Sequence, residues 1–517
     1  MATEHLEVER TYAVGDDWPA PADRELTSLP GVAAVSEPRE VVLDARYLDT
    51  SDLRLLRSGV TLRRRTGGDD AGWHLKLPVG AGRLEVRTSL GRATRTPPRL
   101  LRDLTLARRR GLPVAPVARL VDHRTVRRLS GADGDEGTDL ADLVELTDDR
   151  VTAYLLAPDG REVEIVRWRE LEVELVDAGS TAAREVARAL DGLLRSLGAN
   201  DSPTSSKLAR ALAGRLPAEE RRPRARGGSP SADAVRGYLR HQVDELTARD
   251  PAARRDEPDA VHKMRVATRR LRSTLRVYEP LLEADVGPLL DELRWLAAVL
   301  GEARDAEVMR ERLRDVARHL RPPAVDDTTR LLDEVLGEQH AEAMERLRLA
   351  LSSERYLALL RHLDEVVADR ESTGPGRRRA RTALPRAVRR QWRRVRRRVE
   401  DATGPAERFT LHDARKAAKR ARYAAEVAAA AVPSRSGAAA DFASAMESVQ
   451  EVLGEHQDAV TATELLTDVA RRPGLASAAV FDLGRLVESE TRRSDEAEQA
   501  FAGVWHKASR KRLRRWW

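Results

Sequence analysis

A pair of matched helical segments, present twice, constrains this chain more than any other feature. Val261–Arg272 (VHKMRVATRRLR) matches Leu411–Arg422 (LHDARKAAKRAR), and Leu300–Ala306 (LGEARDA) matches Leu453–Ala459 (LGEHQDA). The two pairs occur in the same order, about 150 residues apart, which is the signature of an internal repeat. Aromatic residues make up only 4% of the chain, so cores built from Leu, Val and Ala are expected, and these suit helices. The second half of the chain is therefore predicted to be a duplicated helical unit.

The first part of the chain, up to about residue 176, has the period of β-strands. Glu7 and Glu9 share one strand face and Leu6 and Val8 the other, because strand side chains alternate with period two. This alternation favours a closed antiparallel β-tunnel with a polar lumen. The alternating segments are Leu6–Val14, Val41–Asp49, Val60–Thr66, Trp73–Val79, Arg83–Thr88 and Val163–Leu175.

A linker separates the two parts. Pro217–Ser231 (PAEERRPRARGGSPS) is rich in Pro, Gly, Arg and Ser, which is typical of a connection between domains. We predict a tunnel domain over 1–215, a linker over 216–230 and a helical domain over 231–517. The predicted fold class is α+β multidomain, with an antiparallel β-tunnel followed by a duplicated all-α domain.

Charge and composition limit the classes of function that the chain can have. Residues 1–220 carry 33 basic and 37 acidic side chains, whereas the remainder carries 58 and 47, so the basic second half is expected to bind an anion. The absence of cysteine excludes disulfides, thiol catalysis and Cys-ligated metal sites. No stretch approaches the roughly 18 apolar residues of a membrane span, and no secretory signal is visible. We expect a cytoplasmic protein without membrane contact.

The charged strand faces predict phosphoryl chemistry in the tunnel. Converging carboxylates need a divalent cation to neutralise them, and facing cations bind anionic oxygens. The alternative is the solvated face of an open sheet with surface ion pairs. We assign a divalent cation such as Mg²⁺ to Glu7, Glu9, Glu172 and Glu174. The candidates for binding the anionic oxygens of phosphate are Arg63, Arg65, Lys76, Arg87, Arg124 and Lys207.

The N-terminal part, about 210 residues, resembles the CYTH domain of the triphosphate tunnel metalloenzymes. The resemblance rests on EVERTY (Glu7–Tyr12), the long block Tyr47–Pro78, ELTDDRVTA (Glu145–Ala153), WRELEVEL (Trp168–Leu175) and SSKLARAL (Ser205–Leu212). It implies an eight-stranded tunnel that binds triphosphate-like chains with Mg²⁺ or Mn²⁺, and we assign catalysis to Glu7, Glu9 and Lys76. Adenylate cyclases also occur among CYTH relatives, but nothing in this chain selects a purine.

The sequence departs from the CYTH pattern in two places. Thr11 stands where the first strand usually has a lysine, and Arg10 points to the opposite face. The sixth strand, usually rich in arginine, reads VDHR (Val121–Arg124). Two hypotheses follow: a metal-dependent inorganic triphosphatase, or a non-enzymatic polyphosphate-granule binding or scaffold protein with a degenerate tunnel.

The repeated helices each carry a basic stripe. His262, Arg265, Arg269, Arg272 and Arg276 recur at helical spacing in the first copy, and the second copy repeats this spacing. A solvated face is the alternative, but it gives no reason for matched cations in both copies. The polyanion-binding candidates are His262, Arg265, Arg269, Arg270, Arg272, His412, Arg415, Lys416, Lys419, Arg420 and Arg422.

From about Ser229 to its end, the chain resembles the CHAD domain, a conserved-histidine α-helical module. Both histidine helices and both LGxxxDA segments carry the resemblance. It implies two pseudo-symmetric four-helix bundles that bind inorganic polyphosphate, which makes association with polyphosphate granules an expectation. Asp305 and Asp458 are interpreted as structural residues, at helix N-termini or in salt bridges.

Two further arginine-rich segments fit more than one function. Arg377–Arg398 could extend a polyphosphate surface or bind nucleic acid through its phosphates, which is the less favoured hypothesis. The tail Arg510–Trp517 (RKRLRRWW) ends in paired tryptophans that either stack on a ligand or dock on the bundle.

Overall fold

A computed structural model gives the fold. It describes residues 2–80, 82–91, 96–132, 140–204, 206–215, 228–318, 325–368, 371–402 and 408–517. The chain divides into two compact units, Met1–Arg221 and Arg222–Trp517. This division falls within the predicted linker 216–230.

The first unit is an antiparallel sheet with short helices. Its strands are β1 (Ala2–Glu7), β2 (Glu9–Val14), β3 (Ala34–Val35), β4 (Arg39–Asp49), β5 (Thr61–Thr66), β6 (Gly72–Val79), β7 (Gly82–Thr88), β8 (Ala115–Ala132), β9 (Leu140–Leu156), β10 (Glu162–Leu175) and β11 (Asn200–Asp201). Its helices are α1 (Asp23–Thr27), α2 (Arg54–Arg57), α3 (Arg99–Thr105), α4 (Thr181–Ser196) and α5 (Lys207–Ala211).

The sheet closes on itself through one continuous run of chain. The order is β1-β7-β6-β5-β4-β8-β9-β10-β2-β11, with β3 paired to β8. Since β1 and β2 are separated only by Val8, the run 2–14 pairs with β7 through its first half and with β10 through its second. The described residues form eleven strands against a predicted eight, because this run is divided at Val8 and because β3 and β11 add two residues each.

Aliphatic side chains on the outer face of the sheet pack against α4. Leu171 of β10 is buried in one core with Val186 and Leu190 of α4. The Ser180 side chain begins the helix by accepting a hydrogen bond from the Ala183 N–H. Burial of each such aliphatic side chain contributes about 1.5–3 kcal/mol. The alternating charged residues of β10 are thereby directed to the inner face.

The second unit is helical. Its α-helices are α6 (Ser231–Arg254), α7 (Ala260–Leu282), α8 (Gly287–Arg318), α9 (Val325–Leu351), α10 (Glu354–Val367), α11 (Ala380–Asp401), α12 (Arg408–Ala431), α13 (Ser436–Ala470) and α14 (Ser477–Ala508). Successive packing of α6, α7 and α8 is repeated by α11, α12 and α13, and α7 also packs against α12. The two histidine helices of the internal repeat are thus neighbours.

The C-terminal tail docks on its own helical unit. Trp392 of α11 stacks on Trp505 of α14 with 5.3 Å between ring centroids. Trp517 meets Phe442 of α13 edge to face at 5.1 Å, and Trp516 is buried. The tail tryptophans therefore serve packing. Among the described residues, no helix is long and apolar enough to cross a membrane.

Candidate functional site

The inner face of the sheet encloses a cavity of about 460 Å³. All ten residues predicted for the tunnel line it. The acidic ones are Glu7, Glu9, Glu172 and Glu174, and the basic ones are Arg63, Arg65, Lys76, Arg87, Arg124 and Lys207. Their charges converge because each occupies an inward position of the alternating strands, or, for Lys207, the first position of α5.

The side chains of residues 2–14 point inward and outward as the strand alternation predicts. Glu7, Glu9 and Thr11 all line the cavity. Arg10 lies outside it, where its Nη2 is 3.0 Å from Asp201 Oδ1. A lysine in place of Thr11 would therefore project inward, whereas Arg10 cannot replace it.

The three residues assigned to catalysis form one ion-paired cluster. Lys76 Nζ lies 2.6 Å from Glu7 Oε2 and 3.7 Å from Glu9 Oε2. Burial lowers the pKa of Lys76, but the carboxylates of Glu9, Glu7 and Glu85 outweigh it and raise the pKa overall. Burial also raises the pKa of Glu7, against the opposing effect of Lys76. Lys76 is thus held as a cation in the lumen.

Arginines crowd a second part of the same cavity. Burial and the neighbouring cations Arg63 and Arg124 together lower the pKa of Arg65 to about 9. Arg63 Nη1 donates to Tyr47 Oη at 3.1 Å, which holds its guanidinium in place. Arg65 pairs with Asp70, and Arg63 Nη2 lies 3.6 Å from Glu85 Oε1. Because guanidinium groups bind phosphate oxygens through paired N–H donors, both arginines suit an oligophosphate that replaces these carboxylates.

A compact carboxylate group lies beside these cations. Asp149, Glu170 and Glu172 offer ligand atoms within 4.8 Å of one another. Lys207 Nζ bridges them, at 2.7 Å from Asp149 Oδ2, 3.1 Å from Glu170 Oε1 and 2.5 Å from Glu172 Oε1. Arg124 donates to both Asp149 oxygens, at 2.8 and 2.7 Å, and to Glu172 at 2.6 Å. Burial raises the pKa of Glu172, but Lys207 and Arg124 outweigh it and lower the pKa overall.

Of the four predicted metal ligands, only Glu172 belongs to this carboxylate group within the described part of the chain. Sequence reasoning missed Asp149 and Glu170. Glu170 carried a signal, since it alternates in phase with Glu172. Asp149 faces Glu170 only because β9 and β10 pair in that register. Three carboxylates offer the hard oxygen donors that Mg²⁺ and Mn²⁺ prefer, so the residues present fit a divalent cation once Lys207 is displaced or shares them.

The two basic stripes of the helical unit face each other where α7 packs on α12. Burial lowers the pKa of Arg269, and nearby Arg265 and Arg415 lower it further. The Nε atoms of Arg269 and Arg415 are buried and have no hydrogen-bond partner among the described residues. Burial lowers the pKa of Lys419 to about 7, reinforced by Arg415 and Arg269. Buried donors without partners, in an excess of positive charge, favour an anionic ligand.

The LGxxxDA segments, which are the second motif of the internal repeat, lie close to the arginines of the histidine helices. Arg265 Nη1 donates to Asp305 at 2.7 Å, consistent with the structural interpretation of that aspartate. A side chain at Gly454 would place its Cβ 3.0 Å from Arg415 Nη2, and one at Gly301 would lie 3.7 Å from Arg265 Nη2. Burial lowers the pKa of Arg415, and Asp458 partly opposes this fall. The LGxxxDA segments therefore leave space for the stripe arginines and supply one counter-charge each.

Several predicted polyanion-binding residues have other partners or lie outside this cluster. Glu426 binds Arg270 Nε at 2.8 Å and Arg422 Nε at 2.9 Å, and Glu447 binds Arg422 Nη2 at 2.7 Å, so both cations already have carboxylate partners. Lys416 is exposed and lies 3.9 Å from Asp413. Burial lowers the pKa of Arg420, and Arg276 and two α11 arginines lower it further, which places Arg420 on another face of α12.

The two histidines flank the central cluster, and Arg272 lies further along α7. Burial lowers the pKa of His262, and Arg304 contributes to the effect. Burial lowers the pKa of His412 too, together with Lys416. At neutral pH both imidazoles are therefore uncharged and can donate one hydrogen bond each. Arg272 also has a pKa lowered by burial and by Arg276.

Comparison with known proteins identifies both units. Residues 17–205 match the family model of the CYTH domain and residues 237–467 that of the CHAD domain. An "uncharacterized protein" of Mycobacterium tuberculosis, found in strains CDC 1551 / Oshkosh and H37Rv, is 36% identical over 520 residues, which cover 97% of this chain and 96% of the relative.

Two solved structures resemble part of the chain. PptA from Streptomyces chartreusis is 23% identical, with a TM-score of 0.46, and the match covers 54% of this chain and 100% of that one. The CHAD domain from the plant Ricinus communis is 22% identical, with a TM-score of 0.44 and a coverage of 54% and 93%. The two domain matches and the full-length relative show that the chain belongs to the family of proteins in which a CYTH domain is followed by a CHAD domain.

Proposed function

We propose that the CHAD domain binds inorganic polyphosphate and that the CYTH tunnel binds a triphosphate or polyphosphate end and hydrolyses it with Mg²⁺ or Mn²⁺. The main support comes from the crossing of α7 and α12, where Arg269, Arg415 and Lys419 crowd together with too few counter-charges. Such an arrangement costs folding free energy unless an anion occupies it. A flexible polyanion recognised through its charge alone fits this cluster.

The tunnel residues would have different roles in phosphoryl transfer. Arg63 and Arg65 would hold the phosphate chain, and Lys76, kept protonated by its carboxylate neighbours, would neutralise charge on the oxygens. Asp149, Glu170 and Glu172 would hold the cation. A bound divalent cation supplies neutralisation of phosphate charge and a more acidic water. The walls of the closed sheet would limit access of bulk water.

One observation favours the non-enzymatic alternative. Lys207 and Arg124 already neutralise the carboxylates that would hold a metal, and Thr11 supplies no cation. A tunnel with balanced internal charge could bind a phosphate chain by exchanging ion pairs without activating water. In that case the protein would act as a polyphosphate binder or a granule scaffold.

Phosphate release tests the enzymatic proposal. The full chain is incubated with tripolyphosphate, ATP, thiamine triphosphate or long-chain polyphosphate, with Mg²⁺ or Mn²⁺. We expect metal-dependent release that Lys76→Met and Glu172→Gln each reduce by about one to two decades, the value of a charge-assisted contact. Arg10→Lys, on the outer face, is the control. No release with any substrate and metal would leave the scaffold function.

Polyphosphate binding is tested separately on the full chain. Arg269→Gln combined with Arg415→Gln should remove most binding, because both cations lie at the α7–α12 crossing. Arg346→Gln combined with Arg471→Gln changes the net charge equally at exposed positions and should have little effect. Equal binding by both double variants would refute the central site.

A further inference from the structure

A second cationic surface lies on α11, outside the central cluster. The buried side of this helix is apolar and includes Leu384, Val388 and Val395. All nine of its arginines are exposed, and only two acidic residues, Glu400 and Asp401, accompany them. The exposed arginines are Arg381, Arg386, Arg389, Arg390, Arg393, Arg394, Arg396, Arg397 and Arg398.

Most of these arginines have no counter-charge. Among the described residues, the ion pairs of the helix are Arg396 with Glu400 at 3.2 Å and Arg398 with Asp401 at 3.8 Å. Arg386, Arg390, Arg393 and Arg397, which recur at helical spacing on the solvent side, form none. Solvated protein surfaces usually mix positive and negative side chains. Positive charges that crowd over about three helical turns repel one another, and this favours the binding of an external anion.

The internal repeat shows that this charge is not required by the scaffold. The counterpart of α11 in the first copy is α6, which likewise precedes a histidine helix. α6 carries four arginines and four acidic residues, so its net charge is zero, whereas α11 carries nine and two and a net charge of +7. Two helices that each pack against a histidine helix thus differ in net charge by seven. That packing therefore does not require the excess positive charge of α11.

The α11 surface continues towards the central cluster. Arg420 of α12 lies within electrostatic reach of Arg394 and Arg398 on one side and of Arg276 on the other. Arg276 in turn neighbours Arg272, which lies one turn from Arg269 on α7. Cations thus follow one another from the α7–α12 crossing to α11. From Arg269 to Arg276 and along Arg386–Arg398 the helices rise by about 10 and 18 Å, so the path spans on the order of 30 Å.

We infer that α11 is an extension of the polyanion site, which binds the outer part of a long polyphosphate chain whose inner part lies at the α7–α12 crossing. This inference rests on the proposed function. Polyphosphate fits better than nucleic acid, because Trp392, the helix's aromatic residue, is buried against Trp505 and offers no surface for base stacking.

The test compares chain lengths. Full-length protein with Arg386, Arg390, Arg393 and Arg397 all replaced by glutamine is titrated with tripolyphosphate and with long-chain polyphosphate at several salt concentrations. Tripolyphosphate is too short to reach α11, so its affinity should not change. Long-chain affinity should fall at least tenfold, and its salt slope should shrink by up to about 0.7 per lost contact, or roughly 3 for four contacts. The substituted positions are exposed, and unchanged thermal melting will show that the fold is kept.

A control variant has the same change of charge elsewhere. Arg346, Arg361, Arg471 and Arg492, all exposed, are replaced by glutamine. Equal loss of long-chain binding in the two variants would overturn the inference, because it would reduce the effect to net charge. Duplex DNA competing as strongly as polyphosphate, phosphate for phosphate, would also overturn it in favour of a nucleic-acid surface. Failure of the proposed function is separate, since it would show as unchanged binding after Arg269→Gln and Arg415→Gln.

Discussion

Under the proposed function, protonation of Lys419 should make polyanion binding depend on pH near neutrality. Burial, Arg415 on its own helix and Arg269 and Arg265 on α7 together lower the pKa of this lysine to about 7, with Asp458 of α13 opposing them. A bound phosphate chain supplies the missing negative charge and returns the pKa towards its ordinary value of about 10.4. Binding therefore takes up a proton wherever the free amine is neutral.

The size of the effect follows from the two pKa values. Below about pH 7 the lysine is charged in both states, and the affinity contributed by this group is constant. Above that pH the free chain must gain a proton to bind, so affinity should fall about tenfold from pH 6 to pH 8 and by nearly a factor of ten per unit above pH 8. The same shift acts on folding: the folded pKa lies below the unfolded one, so the stability of the free chain rises with pH between about 7 and 10.4.

Calorimetric titration of the full chain with long-chain polyphosphate at constant ionic strength measures both consequences. Affinity is followed from pH 6 to pH 9, and heats in buffers of different ionisation enthalpy count the protons taken up. Lys419→Arg is the matched control, because the ordinary pKa of a guanidinium lies at least about two units above that of lysine, so the variant stays charged from pH 6 to pH 8. The same pH profile in both proteins would refute the assignment of Lys419 to the binding site.

Three other predictions follow from the contacts. Mg²⁺ or Mn²⁺ should raise the melting temperature of the protein, since a ligand of the folded state alone stabilises it, and Glu172→Gln should blunt this shift. Thr11→Lys should tighten triphosphate binding or speed hydrolysis by about one to two decades, the value of one charge-assisted hydrogen bond, whereas Arg10→Lys outside the cavity should do neither. Gly454→Ala should weaken polyphosphate binding by displacing Arg415, whose Nη2 lies 3.0 Å from the added Cβ position, and an unchanged affinity would contradict this.

Strand alternation predicted the inner face of the tunnel well. It placed Glu7, Glu9 and Thr11 on one side and Arg10 on the other, as the structure has them. It could not find Asp149, because the position of that residue opposite Glu170 depends on the register of two long strands. Pairing between distant segments is decided by packing of the whole sheet, which a local period does not encode.

The basic stripes of α7 and α12 show the same limit of prediction from sequence. Spacing correctly placed Arg265 and Arg269 beside Arg415 and Lys419, because matched faces of a repeat meet when the copies pack together. It did not reveal that Glu426 would bind Arg270, since Glu426 lies 156 residues beyond Arg270. Which cations of a stripe remain available for a ligand is decided by the counter-charges that folding brings to them.

The two candidate sites therefore use positive charge in opposite ways. In the tunnel, Lys76 and Lys207 each contact several carboxylates, so a phosphate must replace existing partners. Such exchange is selective for geometry, because only a ligand that satisfies the released groups gains free energy. At the α7–α12 crossing, the buried Nε donors of Arg269 and Arg415 have no hydrogen-bond partner among the described residues, and Asp458 and Asp305 are the carboxylates that act on Arg415, so a flexible polyanion would displace few existing contacts. Under the proposed function, the helical unit would retain long chains at a permissive site, and the tunnel would act on chain ends at a selective one.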